Sequence, residues 1–170
     1  VYDFDGQWDR IDLYGSLGEA VGREITPETP ESELRELAEA AGLTVDHATP
    51  GKYVEELWEY YVKPGLTAPT FVMDFPVDTS PLTRSHRRRP GVVEKWDLYV
   101  RGFELATGYS ELTDPVVQRP RFTHQSLAAA AGAPEDMGLA EAFLTATQHG
   151  VAPAAAIGLR FHRLLTAANG

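Results

Sequence analysis

The sequence predicts an α+β domain in which helices flank an antiparallel β-sheet. Two stretches, "TPESELRELAEAAG" and "TPGKYVEELWEYYVKPG", carry helical spacing between proline-marked starts and Gly or Pro stops. A third, "VEKWDLYVRGFELATGYSEL", alternates on both sides of Arg101-Gly102 as a hairpin does. Strand signals outnumber strand-helix-strand crossovers, which disfavours an all-parallel sheet. The 170 residues suit one domain with a sizeable core, without internal repeat, linker or low-complexity tract.

Taken in order, "VYDFDGQWDRIDLYGSLGEAVG" reads as short strand material over Val1 to Phe4, a tight turn at Asp5-Gly6 and a second apolar segment. A chain opening on Val1 without methionine is expected to be cut from something longer. The first helix has Thr29 as N-cap and Pro30 at its first position, with Leu34, Leu37, Ala38 and Ala41 on one face and Gly42 as stop. The second repeats this with Thr49 and Pro50, and places Val54, Leu57, Trp58 and Tyr61 in the core before Pro64. "APTFVMDFPVDTSPL" reads as a buried strand leaving into a loop. On the next strand Trp96, Leu98 and Val100 share a face. Two further helices are separated by Gly132 to Pro134, and "VAPAAAIGLRFHRLLTAANG" reads as a strand entering a helix through Gly158.

Composition narrows the function. A net charge of −10 argues against non-specific wrapping of nucleic acid, although Arg84, Arg87, Arg88 and Arg89 in "TRSHRRRPG" form either a solvated loop tip or a contact for a phosphate backbone. No apolar run approaches the roughly 20 residues that span a bilayer, and "VYDFDGQWDR" lacks a secretory h-region. The absence of cysteine excludes disulfides, thiolate metal sites and a cysteine nucleophile, and fits a reducing compartment. His47, His86, His124, His149 and His162 show no metal-ligand spacing and are expected at the surface or at helix ends. Gly15, Gly18 and Gly22 lack the context of a dinucleotide fingerprint, and Ser80 lacks a base partner.

The unusual feature is a pair of glutamates, Glu104 and Glu111, in "FELATGYSEL". Residues seven apart on a regular strand point to opposite faces, so the two can share a pocket only if the register shifts between them, and Gly108 is the expected break. Two readings stay open. Glu104 faces solvent and Glu111 caps the helix starting near Asp114, or both carboxylates converge on a divalent metal or an ammonium group.

"GFELATGYSELTDPVVQRPRF" resembles the signature of class II lysyl-tRNA synthetases, a Glu-Ile-x-Asn-Gly-aromatic-Ser-Glu-Leu-Asn-Asp-Pro stretch followed by Gln and Arg-Phe. "PTFVMDFPVDTSPL", "LAEAFLTATQHGVAP" and "IGLRFHRLL" are similar to the family's other blocks, in the same order. The resemblance implies a partial class II catalytic fold spanning residues 1–170, a C-terminal part without an anticodon-binding domain. It implies ATP and Mg2+ as cofactors, with Glu104 on the metal and nucleotide side, Gly158 close to nucleotide, and Arg163 as the catalytic arginine on the adenine ring and near the γ-phosphate. It implies Glu111 as the partner of the lysine ammonium, with Tyr109 as the wall beside it and Thr107 and Ser110 as further substrate contacts. Glu111 is also assigned with Glu104 to the metal and nucleotide. It implies that lysine is activated to lysyl-adenylate and passed to tRNA, in a cytoplasmic enzyme that is a homodimer in its full-length form, with the arginine loop as the possible tRNA contact.

The sequence departs from this pattern at several positions. The family's motif 1, at the dimer interface, and motif 2, with the α-phosphate arginine, have no counterpart in residues 1–103, so these residues alone are expected to be inactive. Arg160 stands for a glycine, His162 for an aspartate and Ala156 for a glycine. An arginine there would fill the space left for nucleotide or reach a phosphate, and obstruction is the expectation. Thr107 and Thr113 replace asparagines. The alternative function is therefore a degenerate, non-catalytic paralogue kept as a lysine-binding, regulatory or dimerisation module.

Overall fold

The computed structural model describes residues 5–46, 49–129 and 136–169. Strand β1 (Asp9–Asp12) leads into helices α1 (Leu13–Val21), α2 (Glu31–Ala40) and α3 (Pro50–Tyr61) and a short 3-10 turn, Lys63–Gly65. Strands β2 (Thr70–Met73), β3 (Lys95–Val100) and β4 (Phe103–Ser110) follow, then α4 (Pro115–Ala129), α5 (Asp136–Gln148), β5 (Ala155–Leu159) and α6 (Phe161–Asn169). The five strands form one sheet in chain order. All neighbours are antiparallel except β1 and β2, which the α1–α3 crossover makes parallel. The α+β class therefore holds, with a mostly antiparallel sheet.

The predicted strand at Val1 to Phe4 lies outside the described residues, as does the Gly132 to Pro134 break between α4 and α5. The apolar segment after Asp5-Gly6 is corrected: only Asp9–Asp12 is strand, and the chain then turns into α1. Asp12 caps that helix, its Oδ2 accepting from the Gly15 N–H at 2.9 Å. Leu13, Tyr14 and Leu17 form its buried face.

The cap of α2 is also corrected. Pro30 occupies the cap position without a side-chain bond, while the Thr29 hydroxyl accepts from the Thr26 N–H at 2.9 Å and so closes the turn before the helix. On α3 the expected cap is present, Thr49 accepting from the Lys52 N–H. Val54, Leu57 and Trp58 are buried, but Tyr61 at the last position is exposed and packs edge-on against Tyr60. The Trp58 indole N–H donates to Ser16 Oγ at 3.0 Å, fastening α3 to α1.

The two sheet faces bury different clusters. Val72 and Tyr99 join α1, α2 and α3 in the main core, which also takes in Ile25, Phe75, Val92 and Val93. On the opposite face Leu98, Val100, Leu105 and Ala106 pack with Trp8, Phe71, Trp96 and Leu164 of α6. The predicted face of Trp96, Leu98 and Val100 is thus the second core. The hairpin turns at Arg101 and Gly102, both with positive φ (47° and 76°), the pairing that suits the twist of a two-residue connection.

Candidate functional site

The register of β3 against β4 decides which side chains share a face. Lys95, Trp96, Asp97 and Leu98 stand opposite Tyr109, Gly108, Thr107 and Ala106, but Tyr99 stands opposite Glu104. Leu105 is therefore an extra residue, and the shift falls there and not at Gly108 as expected. Directly paired residues share a face, so the bulge places Glu104 with Thr107 and Tyr109, on the side of Lys95, Asp97 and Tyr99. Alternation carries the same face from Tyr109 to Glu111, which is bridged to Thr83 and donates its N–H to the Ala154 carbonyl. The helix-capping alternative for Glu111 is overturned: Asp114 Oδ1 caps α4, accepting from the Val116 N–H at 2.8 Å.

Gly108 has another role. A Cβ there would lie 2.3 Å from Cζ2 of Trp96, so glycine lets the indole lie flat across the strand.

Strand β5 lies along the other side of β4. Ala156 faces Tyr109 and Gly158 faces Thr107, while the Ser110 position pairs with Ala155. Just beyond the strand, the Arg160 N–H donates to the carbonyl of the bulged Leu105 at 3.1 Å. The Arg160 side chain meets the Glu104 carboxylate, Nε to Oε1 at 3.2 Å. Arg163, in the first turn of α6, donates to the Glu104 carbonyl. Glu104, Thr107, Gly158 and Arg163 thus gather at one end of β4, and Tyr109, Ser110 and Glu111 at the other. Beside the second group lies a cavity of about 320 Å³ bounded in part by Met73, Lys95, Tyr109, Ser110, Ala155 and Ala156. A larger hollow of about 550 Å³ lies by α1, lined by Gly15, Gly18, Ile25 and Arg89, and contains none of the residues assigned to lysine, nucleotide or metal.

A candidate residue that no sequence motif singles out is Asp97, on the face of Glu104 and Thr107. It is 4% exposed; its Oδ2 lies 3.2 Å from Lys95 Nζ and its Oδ1 has no hydrogen-bond partner. Burial raises its pKa above the ordinary carboxylate value, Lys95 and the Thr107 hydroxyl oppose the rise, and the nearby charge of Glu104 adds to it. The available signal was an acid alternating with Trp96 and Leu98 on an apolar strand. The Tyr109 phenol is likewise raised, first by burial and then by the charge of Glu111, which places those two groups together.

The arginine loop is less of a patch than its composition suggests. Arg89 turns inward, its guanidinium bridging Asp12 at 3.0 Å and Asp74, which ties the end of β1 to the end of β2. Arg87 pairs with Glu94 at 3.1 Å, and Arg84 is half-buried with its backbone bonded to Ser110 and Glu94. Only Arg87 and Arg88 of the four are exposed. His86 packs into the loop, its Nδ1 accepting from the N–H groups of Arg88 and Arg89, while His149 and His162 are exposed. His47 and the side chain of His124 lie outside the described residues. Among the described residues no helix is long and apolar enough to cross a membrane, and no cluster of three or more metal-ligating side chains occurs.

A bulged antiparallel sheet bearing carboxylates, with a strand and helix delivering an arginine against them, agrees with the family comparison: residues 3–170 match the model of tRNA synthetases class II (D, K and N), and the chain belongs to that family. Within it the similarity is to lysine-specific members. The chain is 56% identical over 171 residues to a lysine–tRNA ligase of Kineococcus radiotolerans, covering 99% of this chain and 34% of that protein. It is 55% identical over 177 residues to lysine–tRNA ligase 1 of Mycobacterium tuberculosis, covering all of this chain and 35% of that protein. A lysylphosphatidylglycerol biosynthesis bifunctional protein, LysX, of Nocardia farcinica is 46% identical over 169 residues, 15% of its length. The chain is a lysyl-tRNA ligase-like class II domain segment and spans about a third of the length of the lysine–tRNA ligases it matches.

Proposed function

We propose that this chain supplies the lysine-binding and part of the nucleotide-binding surface of a lysyl-tRNA synthetase, which activates lysine with ATP and transfers it to tRNA. The observation that supports the reading most is the Leu105 bulge, which brings Glu104, Thr107, Tyr109 and Glu111 to one face beside Gly158 and Arg163. Glu111 takes the lysine ammonium in a charge-assisted hydrogen bond worth about 2 kcal/mol in a partly desolvated pocket. Tyr109 forms the wall beside it, and Thr107 and Ser110 supply hydroxyls to the rest of the amino acid. Arg163 is the permanent cation facing ATP, and Gly158 leaves room for it.

The donors present suit magnesium, which is held through one or two carboxylates plus substrate phosphates. Asp97 offers a buried oxygen without a partner and Glu104 a carboxylate on the same face. Bound there, the ion would neutralise phosphate charge; holding it falls to Asp97 and Glu104, with Glu111 turned to the lysine. The lysine carboxylate attacks the α-phosphate, the α–β phosphoanhydride bond breaks and pyrophosphate leaves, giving lysyl-adenylate, so catalysis is mainly positioning and charge neutralisation. The α-phosphate arginine would come from the rest of the natural protein, a cytoplasmic homodimer.

The sheet is consistent with a larger domain. Among the described residues β5 pairs only with β4, and Ile157, Leu159 and Phe161 are exposed beside it, as for a strand at which a sheet continues. A second reading, a lysine-binding module without catalysis, is favoured by the Arg160–Glu104 pair, which engages a carboxylate the reaction would need. The natural protein is expected to catalyse lysine-dependent exchange of pyrophosphate into ATP while the 170 residues alone do not. Absence of exchange in the natural protein, with lysine binding intact, selects the module; exchange driven better by another amino acid contradicts both readings.

A further inference from the structure

Each carboxylate at the nucleotide end of the site already has a cation of the chain's own. Lys95 stands 3.2 Å from Asp97, and Arg160 stands 3.2 Å from Glu104. With Arg163 against the Glu104 backbone as well, two acids stand among three cations here, although the whole chain carries a charge of −10. The position of Arg160 is fixed by the backbone: its N–H is bonded to Leu105, and strand alternation from Ala156 through Gly158 sends its side chain to the face that holds Glu104. Arg163 grips the Glu104 carbonyl from the next helical turn, so the glutamate is held at both its backbone and its carboxylate.

We propose that Arg160 is a resident counter-cation that competes with a divalent metal ion for Glu104 and thereby sets the metal affinity of the site. The proposal rests on the reading above that Glu104 faces the metal. A guanidinium stays protonated throughout the physiological range, so the competition is not relieved by pH. It is relieved only when the side chain leaves, which its half-exposed position allows. A lone half-exposed ion pair adds little to fold stability, so substitution at Arg160 leaves the sheet intact. Removing one positive charge a few ångströms from a cation site is worth at least about tenfold in affinity.

The test uses Mn2+ as the probe, titrated by paramagnetic resonance of free ion into the natural protein without nucleotide, with lysine titrated into the same samples by calorimetry. Arg160→Gly and Arg160→Ala are each expected to tighten Mn2+ binding at least about tenfold. Arg160→Lys stays within about twofold of the parent, and Glu104→Gln added to Arg160→Gly abolishes the gain. Unchanged Mn2+ affinity in both Arg160→Gly and Arg160→Ala, or a gain that survives Glu104→Gln, overturns the proposal. If lysine still binds in that case, the lysine-site reading stands; if neither lysine nor Mn2+ binds in any variant, both fall.

Discussion

Leu57 on α3 and Ile157 on β5 are large aliphatic residues in regular elements, yet the first is completely buried and the second is 73% exposed. Around Leu57 lie Leu13, Leu17, Leu34, Val54 and Trp58, all nearly inaccessible, and the Trp58 indole N–H is satisfied by Ser16. Around Ile157 lie the exposed Leu159 and Phe161. The helical flank stabilises the fold by burying apolar surface; the β5 edge carries open apolar surface instead. Among the described residues, the buried side-chain atoms without partners belong to Asp97 of β3 and Gln118 of α4, and a polar group held so at a cost to stability is a candidate for holding a ligand.

The largest effect should follow from hollowing the flank. Leu57→Ala is expected to destabilise the domain by about 2–5 kcal/mol in urea unfolding, because transfer and cavity terms add at a fully buried site. A loss no greater than that of an Ile157 truncation would break the comparison. Gly108→Ala comes next, at about 1–3 kcal/mol, since the added methyl must displace the Trp96 ring. Pairing it with Trp96→Leu sharpens the point: much of the loss should vanish once the indole is gone.

Asp97→Asn should act in the opposite direction. Burial raises the folded pKa, so the carboxyl favours folding at pH below its ordinary unfolded value, and this contribution is lost as the pH rises through the raised folded value. At pH 7 the ionised group is a burden, and the asparagine variant should melt about 2–4 °C higher. That gain should shrink to nothing as the pH falls below about 4, the ordinary Asp range. A stability gain accompanied by weaker Mn2+ binding would mark Asp97 as a functional group carried at a cost. The smallest effect is expected at the open edge, where Ile157→Ser should change stability by no more than about 0.5 kcal/mol in the isolated chain.

Elements with local signals were legible in the sequence. Thr49 and Pro50 announce α3, and Arg101-Gly102 announces the hairpin, because caps and turns depend on residues a few positions apart. Helix α1 was hidden by Gly15 and Gly18, which weaken any helical reading, while its cap, Asp12, doubles as an ion-pair partner for Arg89. The bulge was sought at a glycine, yet it falls on an ordinary leucine because a bulge is defined by the register of the partner strand. Glu104, Glu111 and Arg163 stand out in the sequence through their motifs. The inward turn of Arg89 and the pairing of Arg160 with Glu104 were not, since each partner is distant in the chain.

Recognition of the lysine ammonium by Glu111 is tested by calorimetric titration of lysine into the natural protein and its Glu111→Gln variant. Saturable lysine binding is expected to weaken by about thirtyfold in the variant, the equivalent of a charge-assisted hydrogen bond of about 2 kcal/mol. Equal lysine affinity in the two proteins would contradict it.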